Sequence, residues 1–117
     1  MTGNRLVEFR VYRLKPGTRD QFHELVERHS IPMLAVAQMD VVAYGPSVND
    51  PEGYFLFRSF NNAEHLEKSQ SAFYTSDAWL KGPREAIVSL IESHESATAW
   101  LSEESVNAMK HSSVTSE

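Results

Sequence analysis

The sequence predicts an α+β domain with the element order β-α-β-β-α-β, in which four antiparallel strands form one sheet and helices cover one of its faces. Three observations carry that prediction. Residues Arg5 to Leu14 alternate with a period of two. The chain from Thr18 onward changes to a helical period. The same succession of strand and then helix returns after Tyr54.

In the first strand, RLVEFRVYRL, Val7, Phe9 and Val11 fall on one parity and Glu8, Arg10 and Tyr12 on the other. Pro16-Gly17 ends it. Phe22, Leu25, Val26 and His29 then share one helical face, and Asp20, His23, Glu24 and Glu27 share the opposite one. Pro32 is expected to break or kink this helix, with Ile31, Met33, Leu34, Val36 and Ala37 forming a second buried turn. Val41 to Val48 is β-rich but holds Gly45-Pro46; proline cannot donate to a ladder, so this strand belongs at a sheet edge. Turn formers from Asn49 to Gly53 join it to a third strand, Tyr54 to Phe60. Asn61 and Asn62 suit the start of a helix over Ala63 to Tyr74, with Glu64 placed to contact Asn61 in a capping box. Ser76-Asp77 caps a short turn carrying Trp79, Pro83 opens another helical stretch with Ile87, Leu90 and Ile91, and Glu95 to Leu101 is the last strand.

This order is the split βαβ, or ferredoxin-like, pattern, with strands 1 and 3 central and strands 2 and 4 at the edges. The domain spans residues 1–102, and the polar stretch 103–117 is expected to fray or to wrap a partner. Val7, Phe9 and Val11 with Phe55 and Phe57 are the expected helix-facing set. That assignment leaves Leu6, Glu8, Arg10, Tyr12, Tyr54, Leu56, Arg58 and Phe60 on a bare face, too apolar for a monomer. Two such faces packed together would form a dimeric α+β barrel with a polar interior, so a homodimer is expected.

Composition narrows the function. With no cysteine, the chain has no disulfides, thiolate metal sites or cysteine nucleophile. A formal net charge of -5 is the wrong sign for nucleic acid. No apolar run approaches the roughly 20 residues that span a bilayer, and Arg5, Glu8 and Arg10 interrupt any signal-peptide core, so a cytoplasmic protein without membrane attachment is expected. HExxH, GxSxG, GxGxxG and P-loop motifs are all missing, and no cofactor is indicated.

Glu8, Arg10, Tyr12 and Arg58 are the leading site candidates. Two guanidinium groups against one carboxylate leave spare cationic capacity, and the planar fork of arginine suits a carboxylate, phosphate or enolate. Tyr12, and Tyr44 on the same parity, are suited to donate a proton or hydrogen bond to an oxyanion. The competing reading is that Glu8 pairs with Arg10 or Arg58 only to neutralise charges trapped by packing. Trp79, near Phe73 and Tyr74, is placed either to stack on a planar ligand or to plug the core. His23 and Glu27, with Asp20 a turn earlier, have a spacing that can bind zinc, but acidic helix faces produce it by chance, and no metal is assigned. His23 reads as solvated, His29 as a cation at a helix end, and His94 as lining the barrel rim.

Several segments together resemble a NIPSNAP-family domain: VEFRVYRLKPGTRDQF from Val7 to Phe22, the isolated Pro32, YFLFRSFNNAEH from Tyr54 to His65, and AFYTSDAW from Ala72 to Trp79. The resemblance covers about residues 6 to 101. It implies a dimeric α+β barrel from a superfamily that includes cofactor-independent monooxygenases, isomerases, haem-degrading enzymes and stress-induced proteins. NIPSNAP-like proteins mostly lack an assigned activity. The resemblance adds His65, part of a recurring motif, as a second candidate for moving a proton, with packing or capping in the first turn of its helix as the alternative. Three readings result: binding of a small anionic or aromatic metabolite, with cofactor-independent monooxygenase or isomerase chemistry; a non-catalytic dimeric scaffold with a filled barrel; and, by superfamily analogy alone, haem binding through His65 or His94.

Overall fold

The computed structural model describes residues 3–111. Its elements are β1 (Asn4–Leu14), α1 (Arg19–Leu25), a π-helical turn (Val26–Ser30), α2 (Ile31–Val36), β2 (Asp40–Pro46), β3 (Gly53–Phe60), α3 (Ala63–Tyr74), α4 (Asp77–Leu80), α5 (Arg84–Val88), β4 (Ile91–Ser102) and α6 (Glu103–His111). The sheet runs β2-β3-β1-β4 and every neighbouring pair is antiparallel, so the expected α+β, ferredoxin-like order holds, with β1 and β3 central. Gly45 and Pro46 fall on the edge strand β2, where a missing donor leaves no ladder bond unmade.

Pro32 does not break the helix. Without an N–H it cannot bond the Arg28 carbonyl, and the chain passes this point by widening into the π turn before α2 resumes. A Schellman motif closes α2: Met39 N–H donates to the Leu34 carbonyl (2.9 Å), Gln38 N–H to that of Ala35 (3.0 Å), and Leu34 and Met39 are both buried. Gln38 takes the left-handed position with φ 62°, where glycine is usual.

The faces of the sheet are opposite to the sequence expectation. Tyr12, Leu14, Tyr54, Leu56 and Phe60 pack with Phe22, Val26, Leu34, Phe73, Trp79 and Ile87 in the main core beneath the helices. Glu8, Arg10 and Arg58 share that parity and are enclosed with them. The set Val7, Phe9 and Phe57 faces the other side, where Val7 and Val42 are sealed by Val106 of α6. Both parities carry bulky apolar residues, so bulk alone does not decide the face; the charges can face the helices because α3 supplies polar partners, Gln70 and Tyr74, for them. The chain itself buries Leu6, Tyr54, Leu56 and Phe60, so these four residues do not form a bare face that a second copy must cover.

The expected frayed tail is also corrected over Glu103–His111, which forms α6. Lys110 Nζ lies 2.7 Å from Asp40 Oδ1, tying this helix to the edge strand, while residues 112–117 lie outside the described residues. Among the described residues no helix is long and apolar enough to cross a membrane.

Candidate functional site

β1 and β3 place Glu8 directly opposite Arg58, with Arg10 two residues along on the same face. Arg58 Nη2 donates to Glu8 Oε1 at 2.7 Å, and Arg10 Nη2 and Nε donate to Oε2 at 2.8 and 3.3 Å. Gln70 Nε2 of α3 adds a bond of 3.0 Å to Oε1. One helical turn later, the Tyr74 hydroxyl accepts from Arg58 Nη1 at 3.0 Å and from Arg10 Nη1 at a long 3.4 Å. Both guanidinium carbons lie 5.8 Å from the Tyr74 ring centroid. Glu8 and Arg58 are only 4 % and 0 % exposed, so these groups are held almost wholly by one another.

Burial alone would raise the Glu8 pKa; the charges of Arg58 and then Arg10, with their hydrogen bonds, outweigh it and hold the carboxyl below its usual value. For Arg10, burial opposes the charge, but Tyr74, Tyr12 and Glu8 hold it protonated. Burial, followed by the nearby Tyr74, raises the Tyr12 pKa against the opposing pull of Arg10 and Arg58, so at neutral pH Tyr12 is a hydrogen-bond donor and not a base. The cluster therefore carries two positive charges against one negative. Arg58 Nε is buried with no partner among the described residues.

Arg10 and Tyr12 open onto a cavity of about 410 Å³ between the sheet and the helices. Phe22, Phe73, Tyr74 and Trp79 contribute most of its aromatic wall, and Arg84 and His94 also line it. Val26 and Ser30 reach it from the π turn, a local helix distortion often found at functional sites.

Of the residues expected at a site, Glu8, Arg10, Tyr12, Arg58 and Trp79 come together at or beside this cavity. They do so inside one chain, between sheet and helices, and not in a space between two sheets. Tyr44 and His65 lie away from it. The Tyr44 hydroxyl donates to Glu27 Oε2 at 3.1 Å. His65 completes the cap of α3: its backbone N–H donates to Asn62 Oδ1 (2.8 Å) and its Nδ1 accepts from Asn61 N–H (2.9 Å). It thus takes the capping position expected of Glu64.

His23, expected to be solvated, has its Nδ1 2.6 Å from the buried Tyr54 hydroxyl and its Nε2 3.5 Å from Glu27 Oε1. Burial, with Tyr44 and Glu27 nearby, raises the Tyr54 pKa, so the phenol keeps its proton beside the imidazole. Among the described residues no group of three or more His, Asp or Glu could hold a metal.

Sequence reasoning missed Gln70 as a site residue, Tyr74 as a partner of both arginines, and Arg84. The available signal for the first two was their i, i+4 spacing on α3, which sets an amide and a phenol on one face beside buried Phe73.

The family model for NIPSNAP matches residues 7–105. A NIPSNAP family protein from Agrobacterium tumefaciens has a similar structure, with a TM-score of 0.75 and 19 % identity, covering 81 % of this chain and 90 % of that one. A second from the same organism, of unknown function, gives a TM-score of 0.76 at 22 % identity, covering 84 % and 88 %. A Nitrosomonas europaea protein whose name likens it to the antibiotic biosynthesis monooxygenases gives 0.62 at 14 % identity, covering 85 % and 91 %. These identities speak for the fold alone. No curated protein matches the chain. With 99 of its 117 residues matched by the family model, the chain belongs to the NIPSNAP family.

Proposed function

We propose that this protein binds a small anionic or aromatic metabolite in the cavity between sheet and helices. The observation that carries the reading is a charge imbalance: Arg10 and Arg58 share one carboxylate, and Arg10 lines a partly open, mainly apolar cavity with several aromatic side chains on its wall. A cluster built only to neutralise trapped charges would be balanced and would need no cavity beside it. In this reading Arg10 and Arg58 supply the positive field, Glu8 and Gln70 fix their geometry, Trp79 forms part of the wall, and Tyr12 donates a hydrogen bond to a ligand oxygen. The cofactor-independent chemistry open to such a site is proton donation from Tyr12 to a developing oxyanion.

Native mass spectrometry of gently purified protein tests this. The wild type is expected to retain a small-molecule mass that Arg10→Gln loses. Empty protein in both cases contradicts the reading and favours a non-catalytic scaffold.

The same proposal includes a homodimer, through the outer sheet face that carries Phe9, Val11, Phe55 and Phe57 and not the face that packs on the helices. There Val11 is 50 % exposed and Phe9, Phe55 and Phe57 are only partly covered, a patch on which a second copy of the same face would pack about a twofold axis.

A further inference from the structure

Resting on that binding reading and deepening it, we infer that the occupant is an aromatic monocarboxylate. Charge sets the first limit. The buried cluster has one more positive charge than negative, and Gln70 and Tyr74, which complete it, contribute dipoles but no countercharge. An uncompensated charge in a water-poor site is costly, so a single negative charge on the ligand balances the site, whereas a neutral ligand leaves the excess and a dianion reverses it. Arg84 is the other arginine on the cavity wall; its side chain is 44 % exposed and it has its own carboxylate, Glu85, at 3.7 Å, so it does not supply a buried charge for a dianion.

Geometry sets the second limit. Glu8 takes the Nε and Nη2 edge of Arg10. Nη1 makes a long 3.4 Å contact with the Tyr74 hydroxyl, Arg10 also interacts with the Tyr12 side chain, and Arg10 is the member of the charged cluster that lines the cavity. A planar two-oxygen anion fits a guanidinium edge of this kind, with the Tyr12 hydroxyl as a further donor on the same wall.

The third limit is the wall itself. β1 and α1 contribute Tyr12 and Phe22, with ring centroids 5.5 Å apart, and α3 and α4 contribute Phe73 and Trp79, 5.6 Å apart. Flat rings pack against faces and edges of this kind better than saturated rings do. The volume of about 410 Å³ is at the lower end of the range for small-molecule sites, which suits one or two fused rings.

The test is calorimetric titration of the wild-type protein with four matched probes. These are 2-naphthoate, its neutral isostere 2-naphthamide, the dianion 2-naphthyl phosphate, and the saturated decahydro-2-naphthoate. We expect 2-naphthoate to bind at least tenfold more tightly than each of the others, and Arg10→Gln to lower its affinity to that of the amide. Equal binding of amide and carboxylate, tighter binding of the phosphate, or equal binding of the saturated acid overturns the assignment. So does failure of all four to bind. A retained ligand in native mass spectrometry that is not an aromatic monocarboxylate leaves the broader binding reading standing, while empty wild-type protein removes both.

Discussion

Glu8 and Arg58 face each other across the β1–β3 ladder and meet at 2.7 Å, both buried beneath α3. This pair organises the charges buried between β1, β3 and α3. Arg10 joins the second carboxylate oxygen, and Gln70 and Tyr74 close the group from above. Because the carboxylate is shared, its loss and the loss of one arginine have different consequences.

Glu8→Ala leaves two guanidinium groups buried without a counterion and is expected to cost about 3–5 kcal/mol. Arg58→Met leaves Glu8 paired one to one with Arg10 and is expected to cost less, about 1–3 kcal/mol. Urea denaturation measures both; equal costs would mean that Arg10 does not share the carboxylate in solution.

Stability is expected to fall in acid through the same group. The Glu8 carboxyl is held below its ordinary value of 4.5 in the folded protein, so its contribution is complete above that value. It is lost as pH falls through the lower folded value, because protonation releases both arginines. Thermal melts between pH 6 and pH 3 should therefore show a steeper decline for the wild type than for Glu8→Gln. Parallel curves would place the acid sensitivity elsewhere.

How much of this was legible in the sequence depends on the residue pattern. The element order, the edge position of Gly45-Pro46 and the start of α3 follow from local chemistry that no tertiary contact overrides. Strand parity did not, because Val7, Phe9 and Val11 compete with Leu6, Tyr54, Leu56 and Phe60 for the inner face at similar bulk. The deciding partners, Gln70 and Tyr74, are over sixty residues from Glu8 and Arg10 in the chain. Helix α6 was read as tail because its apolar residues are sparse; it stands because Val106 finds Val7 and Val42 beneath it. The grouping of Glu8, Arg10, Tyr12 and Arg58 was legible as one face of the β1–β3 pair, whereas the cavity they border and the separate positions of Tyr44 and His65 depend on the helices.

Gln38 occupies a left-handed position that any side chain beyond glycine disfavours. Gln38→Gly is expected to stabilise the protein by about 0.5–1 kcal/mol, since the Schellman hydrogen bonds come from the backbone and stay in place. A melting temperature that falls would show that the Gln38 side chain contributes a contact outweighing the backbone strain.

Charge on the outer face separates assembly from binding. Val11→Asp is expected to convert a dimer to a 13.3 kDa species in sedimentation analysis without changing its melting midpoint by more than a few degrees. A wild-type protein that sediments as the single chain at micromolar concentration would remove the homodimer from the account.

The central claim is that the arginine cluster and the ligand share one space inside a single chain, and the two tryptophans report on it differently. Trp79 is buried in the cavity wall, whereas Trp100 on the edge strand β4 is 55 % exposed and does not line the cavity. Fluorescence titration with 2-naphthoate in a Trp100→Phe background should give saturable quenching of Trp79, which Arg10→Gln moves to at least tenfold higher ligand concentration. Quenching of equal depth in Trp79→Phe, where only Trp100 emits, would place the ligand outside the cavity and contradict the account.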